Sequence, residues 1–171
     1  MPKIKVIQAT LLFLLLGNHK VLLAPKLQKI GRGFLNGYGG RIKKDETPED
    51  CAIREFKEES KLAEVNHWHL EKIALANFHN NKEDGTKFIV IVHVYVARTW
   101  YGCPCATKEM GKPKWYNICS LPINRLMLAD RYWLPQALNG EKVLVTACYG
   151  PNQRSLIGDV CVEKVKSFSE G

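Results

Sequence analysis

Glu55, Glu58 and Glu59 stand three and four residues apart in the run Arg54-Glu55-Phe56-Lys57-Glu58-Glu59. At about 100° per residue, such spacing sets the three carboxylates along one side of an α-helix. Hard oxygen ligands of this kind suit Mg²⁺ or Mn²⁺. A divalent ion held by carboxylates implies a substrate that carries phosphates. The competing reading is a solvated acidic face, since like charges at i,i+4 cost only roughly a few tenths of a kcal/mol on an exposed helix.

The helix that must carry these groups is legible on its own terms. Thr47 is a good N-cap, Pro48 suits the first helical position, and Asp50 stands where a capping box wants an acid. The sequence predicts a helix over Thr47 to Leu62, with Ala52, Phe56 and Ile53 turned inward and the glutamates at the edge of a cleft. Before it, the glycine-studded segment Leu27 to Gly40 is suited to bringing backbone close to a ligand.

Spacing sharpens the reading. Gly40, Glu46, Arg54, Glu55, Glu58, Glu59 and the apolar Leu62 follow one another at intervals that resemble the Nudix box, here residues 40–62. That family hydrolyses nucleoside diphosphates linked to a further group. One position departs, for Lys61 stands where the family carries glycine. That glycine follows a helix end, where left-handed backbone is common, so lysine there is expected to cost about 1 kcal/mol. The flanks resemble the MutT-like branch, which sanitises the nucleotide pool by hydrolysing oxidised purine nucleoside triphosphates. The matching segments are Phe34 to Arg41, Glu109-Met110 with Pro113 and Trp115, and Ala129 to Pro135, so the similarity runs from Thr10 to Pro135.

The resemblance implies an α/β chain with a curved mixed β-sheet sandwiched between α-helices, and one domain over 1–171. It adds the Gly39 carbonyl and Glu109 to Glu55, Glu58 and Glu59 as ligands of Mg²⁺ or Mn²⁺. Glu58, Glu59, Glu109 and Arg54 become the catalytic candidates. Glu59 or Glu109 would take the proton from the attacking water, and the sequence does not choose between them. Arg54 would orient the cluster through Glu46, or else contact phosphate directly. Thr10, Lys26, Asn36, Met110, Met127 and Asp130 are the expected substrate-binding residues, with Asn36 and an ionised Asp130 reading the edge of a purine. The alternative for both is structural: Asn36 stabilising a turn and Asp130 capping a helix. The branch carries a pair of acids after Trp-Pro, whereas this chain has Met127-Leu128 and then Ala129, which leaves one acid and no stacking tryptophan. The products expected are a nucleoside monophosphate and pyrophosphate. Other members of the family act on dinucleoside polyphosphates, nucleotide sugars, ADP-ribose or coenzyme A. A catalytically silent nucleotide- or RNA-binding domain is the reading from a different class, and the intact glutamates argue against it.

The net charge of +8 suits a polyanionic partner, and nucleotide phosphates or nucleic acid both meet that description. Lys3, Lys5 and the apolar run to Leu16 imitate a signal peptide. No convincing cleavage site follows, Gly17-Asn18 reads as a turn, and Val21-Leu22-Leu23 as a returning strand, so a buried hairpin is expected. The run is too short to span a membrane. Cys51, Cys103, Cys105, Cys119, Cys148 and Cys161 show no disulfide framework, and neither Cys103-Pro104-Cys105 nor His67-Trp68-His69 makes a metal site. Reduced thiols and a cytoplasmic location are expected. No obligate protein partner is implied, and a monomer is expected. Further strands are predicted at Lys5 to Leu15, Lys20 to Ala24, Trp68 to Phe78, Lys87 to Ala97 and Lys114 to Ile118, with a turn at Asn80 to Gly85 and a loop at Tyr101 to Pro113. Short helices are predicted at Leu121 to Leu128 and Tyr132 to Leu138. Val143 to Cys148 and Gly158 to Val165 close the fold as a hairpin.

Overall fold

The computed structural model describes residues 2–169. Its strands are β1 Lys5–Leu16, β2 Lys20–Pro25, β3 Leu35–Asn36, β4 Ala63–Glu64, β5 Glu71–Asn81, β6 Lys87–Ala97, β7 Tyr101–Gly102, β8 Lys114–Asn117, β9 Lys142–Cys148 and β10 Cys161–Val165. The α-helices are α1 Pro48–Ser60 and α2 Asp130–Leu138. The main sheet runs β10-β9-β5-β6-β1-β2-β3, with β8 also paired to β2. Its β1–β6 and β5–β9 pairs are parallel and its other pairs antiparallel. Parallel neighbours need crossovers, and the helices lie in two of them: α1 between β1 and β6, α2 between β5 and β9.

Side chains alternate across a strand, and β1 uses both faces. Leu12 and Leu14 join Ala52 and Phe56 of α1 in one core. Phe13 and Leu15 join Trp133, Leu134, Ala137 and Leu138 of α2 in the other. A strand covered on both sides reads as an unbroken apolar run, which is why Leu11 to Leu16 imitates a signal sequence. It is instead the first arm of the expected hairpin, with Leu15 opposite Val21. No described helix is long and apolar enough to cross a membrane.

Several boundaries differ from the sequence reading. Residues His67–His69 form a 3-10 turn, so the following strand starts at Glu71 and runs through Asn81. The predicted turn at Asn80 thereby shrinks to the residues after Asn81, because side-chain bonds to a distant loop hold Asn80 and Asn81 in the strand. Leu121 to Leu128 is not a helix; a 3-10 turn at Ile123–Arg125 is followed by extended chain at Leu126. Pro122 permits only a start there, and Leu126 is taken into the core. The last helix begins at Asp130, two residues early, and accommodates Pro135. Three short strands were not foreseen: β3, which pairs with β2 inside the predicted glycine-studded segment, and β4 and β7, which pair with each other and brace the end of α1. All six cysteines are free.

Candidate functional site

The segment after β3 turns back along β1. Thr10 N donates to Gly40 O (2.9 Å), Tyr38 N to Leu12 O (2.9 Å) and Ile42 N to Gln8 O (2.9 Å). This threads Gly39 and Gly40 between β1 and α1. A Cβ at Gly39 would collide with the Thr10 carbonyl, and one at Gly40 with the Glu55 carboxyl group. Gly39 needs glycine for close approach to backbone rather than for an unusual backbone angle, whereas at Gly40 the neighbour is the movable end of the Glu55 side chain.

Helix α1 begins as its sequence asks, with Asp50 N donating to Thr47 Oγ1 at 3.1 Å and Pro48 in the first turn. Phe56 is fully buried and meets Tyr38 edge-to-face at 5.2 Å between ring centroids. Its burial contributes roughly 1.5–3 kcal/mol and fixes the rotation of the helix. That rotation grades the glutamates: Glu59 is buried, Glu55 has 14% of its side chain exposed, and Glu58 has 56%. The stripe therefore descends from solvent into the protein and is not one uniform face.

Arg54 ties the outer part together. Its Nε and Nη2 donate to Glu46 Oε1 (2.6 Å) and Oε2 (3.0 Å), a bidentate pair. Its Nη1 reaches Glu55 (2.7 Å) and Glu58 (3.4 Å). This is the expected pairing with Glu46. The Arg54 hydrogen bonds, helped by the Lys43 amide, hold the Glu46 carboxyl down at about 2. Glu59 is pushed the other way, to about 8, first by burial and then by the negative charges of Glu55 and Glu109. Glu109 itself stands exposed.

With Glu55 and Glu58 leaning on Arg54, the described acidic, histidine and cysteine side chains do not converge into a metal-binding group as they stand. The donor set nevertheless fits a hard cation. Carboxylates on adjoining turns of α1 flank a buried Glu59, whose carboxyl is raised first by burial and then by the charges of Glu55 and Glu109.

Glu59 opens into a cavity of about 330 Å³. Of the expected substrate residues, Thr10, Lys26, Asn36, Met110, Met127 and Asp130 all border it, as do Gly39 and Gly40. Glu46, Arg54, Glu55, Glu58 and Glu109 do not. The Thr10 hydroxyl shares a hydrogen bond with Cys51 Sγ of α1 at 3.2 Å. Burial lowers the Lys26 pKa, against the opposing pull of Glu59 and Asp130.

Asn36 and Asp130 combine what the sequence posed as alternatives. Asn36 Oδ1 accepts from Gly37 N at 2.9 Å, so the turn role is real and the amide NH₂ is the end left for a ligand. Asp130 does not cap its helix: the N-cap is Ala129, without a side-chain bond. Its Oδ1 accepts from Trp133 Nε1 at 3.1 Å. Burial pushes its carboxyl up to about 7, although Trp133 and Lys26 oppose the shift. Against the expected ionised Asp130, burial favours the neutral carboxyl, which offers a donor where the carboxylate offers only acceptors.

Phe78, Val90, Val92, Tyr149 and Gln153 complete the walls and were not assigned from sequence. The alternation of β6 identifies Val90 and Val92 as one face, though not as a ligand face. Tyr149 and Gln153 carried no local signal. Tyr149 Oη accepts from Ala129 N at 2.9 Å, which fixes the backbone beside Asp130.

Comparison with known proteins follows the same outline. Residues 6–137 match the model of the NUDIX domain. The chain is 34% identical over 131 residues to the oxidized purine nucleoside triphosphate hydrolase of Mus musculus, covering 77% of this chain and 80% of the mouse protein. It is 32% identical over 133 residues to the protein of that name from Danio rerio, covering 78% and 81%. Among solved structures, a MutT protein from Bacillus halodurans superimposes with a TM-score of 0.72 at 18% identity, covering 92% of this chain and 97% of that one.

Proposed function

The chain belongs to the Nudix family, and we propose that it hydrolyses oxidised purine nucleoside triphosphates to nucleoside monophosphate and pyrophosphate, sanitising the nucleotide pool. The whole chain, 1–171, is proposed to act as one Nudix domain with its box at 40–62. The observation that carries the reading is one cavity whose lining includes both Asn36 and Asp130 and also Gly39, Gly40 and Glu59. A base held by the first pair leaves its phosphates free to reach the acidic helix.

Glu55, Glu58 and Glu59, with the Gly39 carbonyl and Glu109, are proposed to hold Mg²⁺ or Mn²⁺. When bound, such a cation neutralises phosphate charge and makes water more acidic. Arg54, fixed by Glu46, orients Glu55 and Glu58. Lys26 supplies positive charge inside the cavity. Glu59 borders the cavity and Glu109 is exposed outside its lining, so Glu59 is the better-situated proton acceptor. Met127, Met110 and Phe78 give the base an apolar enclosure without the tryptophan of the branch.

The experiment is release of pyrophosphate from a panel comprising oxidised and ordinary purine triphosphates, pyrimidine triphosphates, ADP-ribose and dinucleoside polyphosphates, with and without Mg²⁺. The expected result is Mg²⁺-dependent release that is fastest with an oxidised purine triphosphate such as 8-oxo-dGTP. Faster hydrolysis of ADP-ribose or a dinucleoside polyphosphate would overturn the substrate assignment.

A further inference from the structure

The loop after β9 carries an anomaly that the sequence does not announce. Asn152 and Gln153 both have φ of +55°. Asparagine visits this region readily, but glutamine does so rarely. Strained backbone persists where its surroundings over-determine it, and such places cluster at ligand sites.

The surroundings here are three side-chain bonds to the end of β5 and the turn beyond it. Asn81 Nδ2 donates to Tyr149 O (3.0 Å), Asn152 Nδ2 to Glu83 Oε1 (2.9 Å) and Gln153 Nε2 to Asn80 Oδ1 (2.8 Å). Gln153 N also closes onto Gly150 O at 3.1 Å. Asn80 is buried, and its own Nδ2 donates to Phe78 O at 2.9 Å. That chain of bonds fixes both amides. Turning Asn80 over would set its oxygen against the Phe78 carbonyl, and turning Gln153 over would set oxygen against oxygen. The Gln153 carbonyl is therefore the end left over, and it has no hydrogen-bond partner among the described residues. Gln153 borders the same cavity as Asp130, Met127 and Tyr149.

We propose that Gln153 is a specificity-determining residue, whose side-chain carbonyl accepts a hydrogen bond from an N–H on the edge of the bound purine. The assignment rests on the purine triphosphate reading above and deepens it. Ala129 stands where the MutT-like branch carries an acid, so this pocket lacks one set of acceptors. Asn36 Oδ1 is engaged by Gly37 N, and burial raises the Asp130 carboxyl towards neutrality. Gln153 adds an acceptor that stays an acceptor at every pH, brought from a different loop. An oxidised purine, with N–H at N7 as well as at its exocyclic amine, has a donor to offer it. A pyrimidine has no imidazole-ring N–H to offer it.

The test uses Gln153→Gly in the full chain. Glycine accepts φ of +55° without strain, so the side chain is removed while its backbone geometry is favoured. Metal-free calorimetric titration with nucleoside monophosphates separates base recognition from phosphate chemistry. The variant should keep its cooperative melt and bind 8-oxo-purine monophosphate about fivefold more weakly, the scale of one lost hydrogen bond, with pyrimidine monophosphate binding unchanged. Equal losses for purine and pyrimidine, or no loss for either, would overturn the assignment and leave Gln153 as a loop anchor. If glycine lowers the melt, Gln153→Asn, which also tolerates positive φ but is one methylene shorter, must show the same purine-selective loss. A parent chain without purine preference in this titration overturns the purine reading itself, and this assignment with it.

Discussion

The outer face of α1 and the buried wall of the cavity handle carboxylates in opposite ways. Along α1, Arg54 brackets Glu46 and Glu55, and Glu46 is held ionised down to about 2. At the base-facing wall, Asp130 has one tryptophan N–H for a direct partner, and burial raises it to about 7. The first region compensates charge locally, whereas burial raises Glu59, at the inner end of the same helix, to about 8, as it raises Asp130. The second avoids charge and reads shape and hydrogen bonds. The proposed catalytic edge thus joins an outer, Arg54-compensated set of carboxylates to a buried Glu59, while the proposed recognition wall holds a single buried carboxyl.

The largest effect should come from the catalytic edge. Glu58→Gln or Glu59→Gln removes a charge that the proposed cation requires. Turnover should fall by roughly three orders of magnitude or more, with the melting curve retained. Near-parental turnover in either variant would break the contrast at its stronger end. Chelation should abolish hydrolysis in the parent, and added Mg²⁺ or Mn²⁺ should restore it.

Arg54→Ala tests whether the edge works by orientation. It leaves Glu46, Glu55 and Glu58 close together without their shared cation. A reduction of about ten- to a hundredfold in kcat is expected, the scale of a misplaced group. Arg54→Lys should recover only part of it, because an ammonium cannot make the bidentate pair with Glu46. Full recovery by lysine would show that charge alone suffices.

At the wall, Asp130→Ala should reduce kcat/KM for the oxidised purine triphosphate by about 1–3 kcal/mol equivalent, the cost of leaving a buried partner unpaired. The edge should be untouched, so a pyrimidine triphosphate should be affected less. Asp130 also predicts a pH dependence of opposite sign to that of Glu46. Its carboxyl moves from an ordinary value of 3.8 up to about 7 on folding. The folded chain binds the extra proton, so this contribution to stability is complete below about pH 4 and is lost as pH rises through about 7. Asp130→Asn is neutral throughout and lacks it. The melting temperature of the parent relative to Asp130→Asn should therefore decline between pH 4 and pH 8. A flat difference would mean that Asp130 stays ionised in the fold.

The same contrast explains what the sequence could and could not disclose. Gly40 to Leu62 is one continuous stretch, and a helix turns the spacing of Glu55, Glu58 and Glu59 directly into geometry; the Glu46–Arg54 pair, with Glu46 outside the helix, was legible only through the family resemblance. The wall is assembled from Asn36, Phe78, Val90, Asp130 and Gln153, on five separate stretches of chain, and nothing in local spacing brings them together. Asn36 and Asp130 were found only through resemblance to the MutT-like branch, and even then not their hydrogen-bond states. The boundary errors have the same cause. Asn80 and Asn81 look like turn residues by composition, and bonds to a loop about seventy positions away keep them in β5.

The smallest effect belongs to the one departure inside the box. Lys61 closes α1 with φ of 65° and ψ of −50°, and Leu62 N donates to Ser60 O at 2.8 Å across it. That three-residue ring is a γ-turn of positive φ, rare and strained for a residue with a Cβ. The conformation is imposed from both sides, since Cys105 N bonds to Ser60 O (2.9 Å) and Cys103 N to Leu62 O (3.2 Å). The Lys61 side chain is exposed and has no hydrogen-bond partner among the described residues. Lys61→Gly should relieve the strain, offset in part by the greater freedom glycine brings to the unfolded chain. The net expectation is a gain of about 0 to 1 kcal/mol in stability, read from denaturant midpoints at constant m, with turnover unchanged because neither the glutamates nor Arg54 moves. A clear loss of stability would show that the lysine makes a compensating contact. A change in turnover would show that the end of α1 is coupled to Glu59, and the catalytic edge would then extend one turn further than its charges do.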